Sequence, residues 1–318
     1  MRKTVILFLA AAMICSAACL LSVKSSPIDS DRVGQRAKEE SVTRILVMGR
    51  DRAASLCDSI FVVSVHGQTH EVRLLQIPRD TYARYTDRDY KKINGAYATM
   101  GLEETKDFLS RALGVPIHHT VLLDLDAVRE IVDAVGGVDV EIPIEMRYSD
   151  PEQGLEINLG SGVRHLDGEQ AEQFLRFRSG YANADLGRMD AQKLFLVALA
   201  QKSREISRAQ LIGLSAKMIT KIKTDLPIGE IIKLTNLFFE IDASSVPMAT
   251  APGKAVQGTS GAWYYSLCRA EAVDAVRYYL QADAGFGEAD FDPDLVFDRQ
   301  DLDRFHRIYT APSSDAAK

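Results

Sequence analysis

The 318-residue chain has little cysteine and little tryptophan: four of the first and one of the second. Cys15 and Cys19 lie in an apolar N-terminal run, which leaves Cys57 and Cys268 as the pair in the rest of the chain. No Cys-x-x-Cys pair occurs, and this argues against the common thiolate zinc sites. Whether Cys57 and Cys268 bridge depends on a separation that spacing does not reveal. Cys57 precedes Asp58, but no base motif accompanies it, so a thiol nucleophile is set aside. His66, His70 and His165 read as turn residues and His118 and His119 as a strand edge, none of them catalytic.

There is no long basic stripe, and the formal net charge is −6, so nucleic acid is excluded as the main partner. The segment Gly258-Thr259-Ser260-Gly261 lacks the lysine and spacing of a nucleotide-phosphate loop. It reads as a turn before the aromatic strand Trp263-Tyr264-Tyr265, with Trp263 against a sugar as the alternative. No internal repeat is present.

One long hydrophobic run stands out. Residues Val5 to Val23 are apolar apart from Ser16 and Ser22, and about 20 such residues span a bilayer core. Arg2 and Lys3 precede the run, which places the N-terminus in the cytoplasm and the bulk of the chain outside. A cleaved signal peptide and a lipoprotein-like Ser16-Ala17-Ala18-Cys19 site are the alternatives, and all three put the body outside the cytoplasm. The predicted organisation is a membrane anchor at 1–24, a polar linker at 25–43, a catalytic domain at 44–283 and a C-terminal tail at 284–318 rich in Asp and Phe. The body is 46% hydrophobic over the whole chain and long enough for one substantial core.

Short apolar stretches rich in β-branched residues predict strands at Ile45–Met48, Ile60–Val65, Val72–Ile77, Thr120–Leu123 and Val138–Ile142. Helical periodicity appears over Leu102–Leu113, stopped by Gly114, and over Asp126–Val135, stopped by Gly136-Gly137. Asp167 with Gln170 predicts a capping box, and Asp190–Lys202 reads as a buried helix. Strands interleaved with helices give an α/β layered domain.

Charged residues recur at the edges of these strands. Arg50-Asp51 follow the first, Asp58 precedes the second, Arg79-Asp80 follow Pro78 after the third, and Lys91-Lys92-Ile93-Asn94 come later. Further on, Phe174-Leu175-Arg176-Phe177-Arg178 is followed by Asp185-Leu186-Gly187-Arg188 and by Gln192. In an extended segment Arg176 and Arg178 would point to one face, as a forked receptor for phosphate or diphosphate oxygens. Ordinary surface ion pairs are the other reading of the same residues.

The order of these pieces resembles the LytR-CpsA-Psr family. It is carried by Leu46–Asp51, Asp58, Ile77-Pro78-Arg79-Asp80-Thr81, Lys92–Tyr97, Val135–Val140, Leu166–Ala171, the Arg176/Arg178 pair, and Asp185–Arg188 with Gln192. The resemblance implies a layered α/β/α domain around a central mixed β-sheet. It also implies transfer of a glycopolymer of teichoic-acid or capsule type from an undecaprenyl diphosphate carrier to peptidoglycan, assisted by Mg2+ or, alternatively, Mn2+. Carried over by position, Asp51 and Asp58 would hold the metal. Arg79, Lys92, Arg176, Arg178, Arg188 and Gln192 would grip the diphosphate. Arg79, Asp185, Arg176 and Arg178 would form the catalytic set, with Asp185 preferred over Asp80 as base. A polyprenyl tail would need an apolar pocket, for which Leu194, Phe195, Val197, Leu199, Leu237, Phe238 and Phe239 are candidates, although core packing explains each of them as well. Leu56 and Cys57 stand where many relatives have an arginine and a serine, so one phosphate contact is either missing or supplied by Arg50, Arg52 or Arg84. Hydrolysis of the diphosphate and non-catalytic binding of polyprenyl phosphates remain open alternatives.

Overall fold

A computed structural model describes residues 42–50, 56–85, 91–152, 154–181, 185–218, 221–258 apart from 241–245, and 261–290. The predicted membrane helix, nearly all of the linker, Asp51, Arg52 and residues 291–318 lie outside the described residues. Among the described residues, no helix is long and apolar enough to cross a membrane.

The described chain starts with β1 (Val42–Arg50), β2 (Cys57–His66) and β3 (Val72–Gln76), paired antiparallel in sequence. Two-residue strands β4 (Tyr82–Ala83) and β5 (Lys91–Lys92) lead to α1 (Ala96–Met100) and α2 (Leu102–Ala112). Strand β6 (His119–Asp124) then inserts parallel to β1 and runs directly into α3 (Leu125–Ala134). Next come β7 (Val138–Ile142), β8 (Met146–Asp150), β9 (Leu155–Leu159) and β10 (Gly162–Leu166) as two small ribbons, β7 with β10 and β8 with β9. Helices α4 (Gly168–Arg176), α5 (Asp185–Ser203), α6 (Arg208–Met218) and α7 (Ile228–Glu240) follow, with β11 (Lys223–Thr224) between the last two. The described chain finishes with β12 (Met248–Thr250), the ribbon of β13 (Gly253–Gln257) and β14 (Trp263–Leu267), and α8 (Arg269–Tyr279).

The central sheet is mixed, in the order β11-β6-β1-β2-β3-β12. Its middle strands are apolar on both faces, as expected for a sheet covered on both sides. Along β1, Ile45 and Val47 join one core with α3, α4, α5, α6 and α7, while Leu46 and Met48 join a second core with α1, α2 and α8. All five predicted strands are present. The predicted helix at Asp190 begins earlier, at Asp185. The first residues of the predicted tail pack on the second core through Phe286.

Two glycines let elements approach where the site is built. A Cβ on Gly168 would meet the Arg129 carbonyl at 2.4 Å, so glycine permits the close contact of α4 with α3. A Cβ on Gly187 would meet Tyr181 Cβ at 2.5 Å, which would push the first turn of α5 off the loop before it. The start of α4 is fixed by the expected capping box: Gln170 N donates to Asp167 Oδ1 at 2.9 Å, and Asp167 N donates to Gln170 Oε1 at 3.2 Å.

Candidate active site

Asp58 owes its position to a break in register. Gly49 pairs with Ser59 and Arg50 with Cys57, so Asp58 is the extra residue of a bulge between β1 and β2. Bulges re-aim a side chain out of the regular pleat. Here the carboxylate meets three arginines from three separate segments. Arg79 Nη1, in the turn after β3, donates to Asp58 Oδ1 at 2.6 Å. Arg178 Nη2, two residues beyond α4, donates to Oδ2 at 2.8 Å, and Arg188 Nη1, in the first turn of α5, lies 3.7 Å from Oδ2. Asp185 completes the group, 3.3 Å from Arg79 Nε and 2.8 Å from Arg188 Nη2.

Three guanidinium groups thus share two carboxylates, and the cluster keeps an excess positive charge. Burial works to raise the Asp58 carboxyl, but Arg188, Arg79 and Arg178 outweigh it and hold the group below its ordinary range. Burial pulls Arg188 down to about 10, reinforced by Arg79 and Arg178 and opposed by Asp185 and Asp58. Burial also disfavours the charge on Arg79, yet Asp58 and Asp185 more than compensate and raise it. The Nε atoms of Arg50, Arg79 and Arg188 are buried without an aligned hydrogen bond. Buried donors of this kind normally find a partner, and an anion laid across the cluster would supply one.

The cluster sits where two clefts join. The inner cleft, about 850 Å³ with its open mouth, runs between the sheet and helices α3, α4 and α5. Its wall is almost wholly apolar, with Val47, Phe61, Leu123, Val128, Phe195 and Leu199 among its residues, and its polar end carries Arg50, Asp58, Asp124, Arg176 and Gln192. The outer cleft, about 1020 Å³ on the same measure, carries Asp58, Arg79, Arg176 and Arg178 beside Leu56, Tyr148 and Leu155. Asp58, Leu125 and Arg176 line both. The arrangement can take a multiply charged anion at the junction with an apolar chain attached on one side.

The structure gathers Asp58, Arg79, Arg178, Asp185 and Arg188 in direct contact, and it brings Arg176 to the shared mouth and Gln192 to the inner cleft. Gln192 Oε1 accepts from Gln76 Nε2 at 3.0 Å. The extended reading of Phe174–Arg178 does not hold. Arg176 is the last residue of α4 and reaches back one turn to Glu172 Oε1 at 3.3 Å, while Phe177 leaves the helix in extended conformation. The two arginines enter the mouth from a helix end and from a loop, instead of from one strand face. Lys92 pairs with Asp80 at 3.0 Å and lines neither cleft. Of Arg50, Arg52 and Arg84, Arg50 lines the inner cleft, 3.8 Å from Asp124. Among the pocket candidates, Phe195 and Leu199 line the inner cleft, Val197, Leu237 and Phe238 belong to the surrounding core, Leu194 is half-buried, and the Phe239 side chain lies outside the described residues.

Cys57 and Cys268 are both free. Burial, aided by Asp58, pushes the Cys57 thiol up to about 12, so it is inert as a nucleophile. Three residues at the site were not anticipated. Asp124 caps α3 by accepting from Ala127 N at 2.9 Å and faces Arg50. Its place directly after an apolar strand is the signal that marked the others. Glu172, with its side chain 11% exposed, bridges Arg176 and Arg129. Gln76 holds Gln192. Among the described residues, no group of three or more His, Cys, Asp or Glu side chains gathers as a metal cluster. Asp58 alone is a described carboxylate at the shared mouth with its oxygens on arginines. Such a donor fits a hard divalent ion only alongside phosphate oxygens, the manner in which Mg2+ is commonly held.

The fold and the junction define an α/β protein in which an arginine cluster meets an apolar cleft. The LytR_cpsA_psr family matches residues 20–281, and the chain belongs to that family. It is 29% identical over 229 residues to the polyisoprenyl-teichoic acid–peptidoglycan teichoic acid transferase TagV of Bacillus subtilis, covering 70% of this chain and 59% of the relative, and so spans under two thirds of TagV. It is 27% identical over 242 residues to the transferase TagU of Bacillus anthracis, covering 74% of this chain and 78% of that one. The crystal structure of B. subtilis TagV superposes with a TM-score of 0.66 at 25% identity, covering 76% of this chain and 98% of that chain.

Proposed function

We propose that this chain is an enzyme that transfers a phosphate-linked glycopolymer, of teichoic-acid or capsule type, from an undecaprenyl diphosphate carrier to peptidoglycan. The observation that carries the reading is the junction of an arginine cluster with an apolar cleft. The polyprenyl chain occupies the inner cleft. The diphosphate lies across Arg79, Arg176, Arg178 and Arg188, with Arg50 and Gln192 at the inner end. The names of the TagV and TagU relatives support the substrate class.

In the reaction, a hydroxyl oxygen of a wall sugar attacks the phosphorus that bears the glycan. A new phosphodiester bond forms as the bond from that phosphorus to the bridging oxygen breaks, and polyprenyl monophosphate leaves. Arg79, Arg178 and Arg188 stabilise the charge gathering on the leaving phosphate, and an arginine in this role contributes about a thousandfold or more in rate. Asp185, which sits in the arginine cluster against Asp58's partners Arg79 and Arg188, takes the hydroxyl proton, while Asp80 is tied to Lys92 away from the cluster. Asp58, with Asp51, would hold Mg2+ or Mn2+, which would supply Lewis-acid polarisation of a phosphoryl oxygen. The apolar run at Val5–Val23 anchors the chain in the membrane with the catalytic domain on the outer face.

The test uses the full-length chain in detergent with a polyprenyl diphosphate-linked saccharide and peptidoglycan fragments, with and without Mg2+. Mass spectrometry follows saccharide attachment and phosphate release. Attachment that requires Mg2+ and is lost in Arg79→Ala and Arg176→Ala is expected. Phosphate release without attachment would make the chain a hydrolase, and lipid binding with neither product would make it a non-catalytic binder.

A further inference from the structure

One buried polar residue stands where the strand pattern calls for an apolar one. Side chains of a strand alternate between its faces, and in β3 Val72 and Leu74 join the first core while Leu75 joins the second. Gln76 shares the face of Val72 and Leu74, yet it is an amide, 1% exposed. Its Nε2 donates to Gln192 Oε1 at 3.0 Å, across 116 positions of the chain. Its own Oε1 is buried without a hydrogen-bond partner. Buried polar atoms are nearly always paired. A residue kept for stability alone would be apolar here or bonded at both ends, so the contact with Gln192 is what this amide serves.

Gln192 lies on α5, is itself buried, and lines the polar end of the inner cleft with Arg50 and Arg176. A side-chain amide carries an acceptor on one arm and donors on the other, and the torsion at its end is roughly two-fold. One setting offers the cleft an NH2 group; the other offers an oxygen, which repels an anion. With Oε1 taken by Gln76, the NH2 group is what remains for the cleft. We infer that Gln76 is a positioning residue for the lipid carrier: it locks the Gln192 amide so that Nε2 donates to an oxygen of the phosphate nearer the apolar chain. This inference rests on the reading of the junction as a polyprenyl diphosphate site. Gln76 lines neither cleft, so it acts through Gln192.

The experiment measures Kd by calorimetry for full-length protein in detergent with two probes, undecaprenyl diphosphate and undecaprenol, which has the same chain and no phosphate. The wild type is expected to bind the diphosphate more tightly. Gln76→Met keeps the length and removes the donor. It should weaken the diphosphate by about fivefold, the order of one hydrogen bond, and leave undecaprenol within about twofold. Gln76→Asn, an amide one methylene short of Gln192, should do the same, so the test does not depend on one variant folding. Unchanged undecaprenol binding reports that the cleft is intact. Added to Gln192→Met, Gln76→Met should move the diphosphate Kd by less than about twofold, because residues that act as one unit are not additive. Equal weakening of both lipids would make Gln76 a prop of the cleft wall and overturn the inference. No weakening, or the full loss on top of Gln192→Met, would overturn it too, and in each case the function stands if the wild type favours the diphosphate. A wild type that binds both lipids alike would overturn the diphosphate site and the inference together.

Discussion

Arg188 and Asp185 meet across one turn of helix, Nη2 to Oδ1 at 2.8 Å, and the arginine side chain is 1% exposed. A buried guanidinium is costly unless its fork is satisfied. Arg188 is bound on one side by Asp185 and on the other by Asp58, whose backbone oxygen also lies 3.5 Å from Nη2. It therefore ties the first turn of α5 to the bulge of β2. A lysine keeps the charge and loses the fork. Arg188→Lys is expected to lower stability by about 1–3 kcal/mol, by loss of charge-assisted hydrogen bonds. Saccharide attachment should fall about tenfold or more, since the cluster beside the leaving phosphate loses the planar fork that joins Asp185 to Asp58. Thermal unfolding and single-turnover mass spectrometry check both.

Asp58 gives a prediction in pH. Its carboxyl is held below the ordinary 3.8 in the folded chain, so the stability it contributes is present above that value and is lost as pH falls through the folded value. Asp58→Asn removes the titration. The wild type should exceed Asp58→Asn in Tm at pH 5 and above, and the gap should narrow below about pH 4. Thermal unfolding across that range is the measurement. A gap that is flat or widens toward low pH would show that Asp58 is not stabilised in its ionised form.

Glu172 holds Arg176 at the junction by sharing its two oxygens between Arg176 and Arg129. Glu172→Gln keeps the shape and removes the charge. It is expected to cost about 1–2 kcal/mol of stability, the order of one charged hydrogen bond. The KM for the lipid carrier should rise more than kcat falls, because Arg176 remains present but is less firmly placed. Steady-state kinetics with both parameters resolved test this.

Much of the site could be read in the chain because strand ends announce themselves. Asp58 and Arg79 flank apolar runs, and those runs are β2 and β3. The bulge that aims Asp58 was not readable, since it depends on which residue of β1 each residue of β2 meets. Arg176 was misread for a related reason. The capping box marks where α4 begins, but no glycine or proline marks its end, and Phe-Leu-Arg-Phe-Arg alternates as a strand does. Glu172 was missed because a glutamate on a helix usually faces water. Its i, i+4 spacing to Arg176 was the one available signal. The β8–β9 hairpin escaped because its residues are polar and aromatic on the exposed side, without the apolar run that marked the central strands.

The placement of the lipid is the central claim, and photocrosslinking tests it most directly. Undecaprenyl diphosphate with a diazirine in its chain would be irradiated with the full-length protein and the labelled peptides identified by mass spectrometry. Labels on Leu123, Val128, Ile131, Phe195 and Leu199, competed away by unlabelled undecaprenyl diphosphate, are the expected result. Labels on the opposite face of the sheet, on Leu102–Ala112 or Arg269–Tyr279, would contradict it.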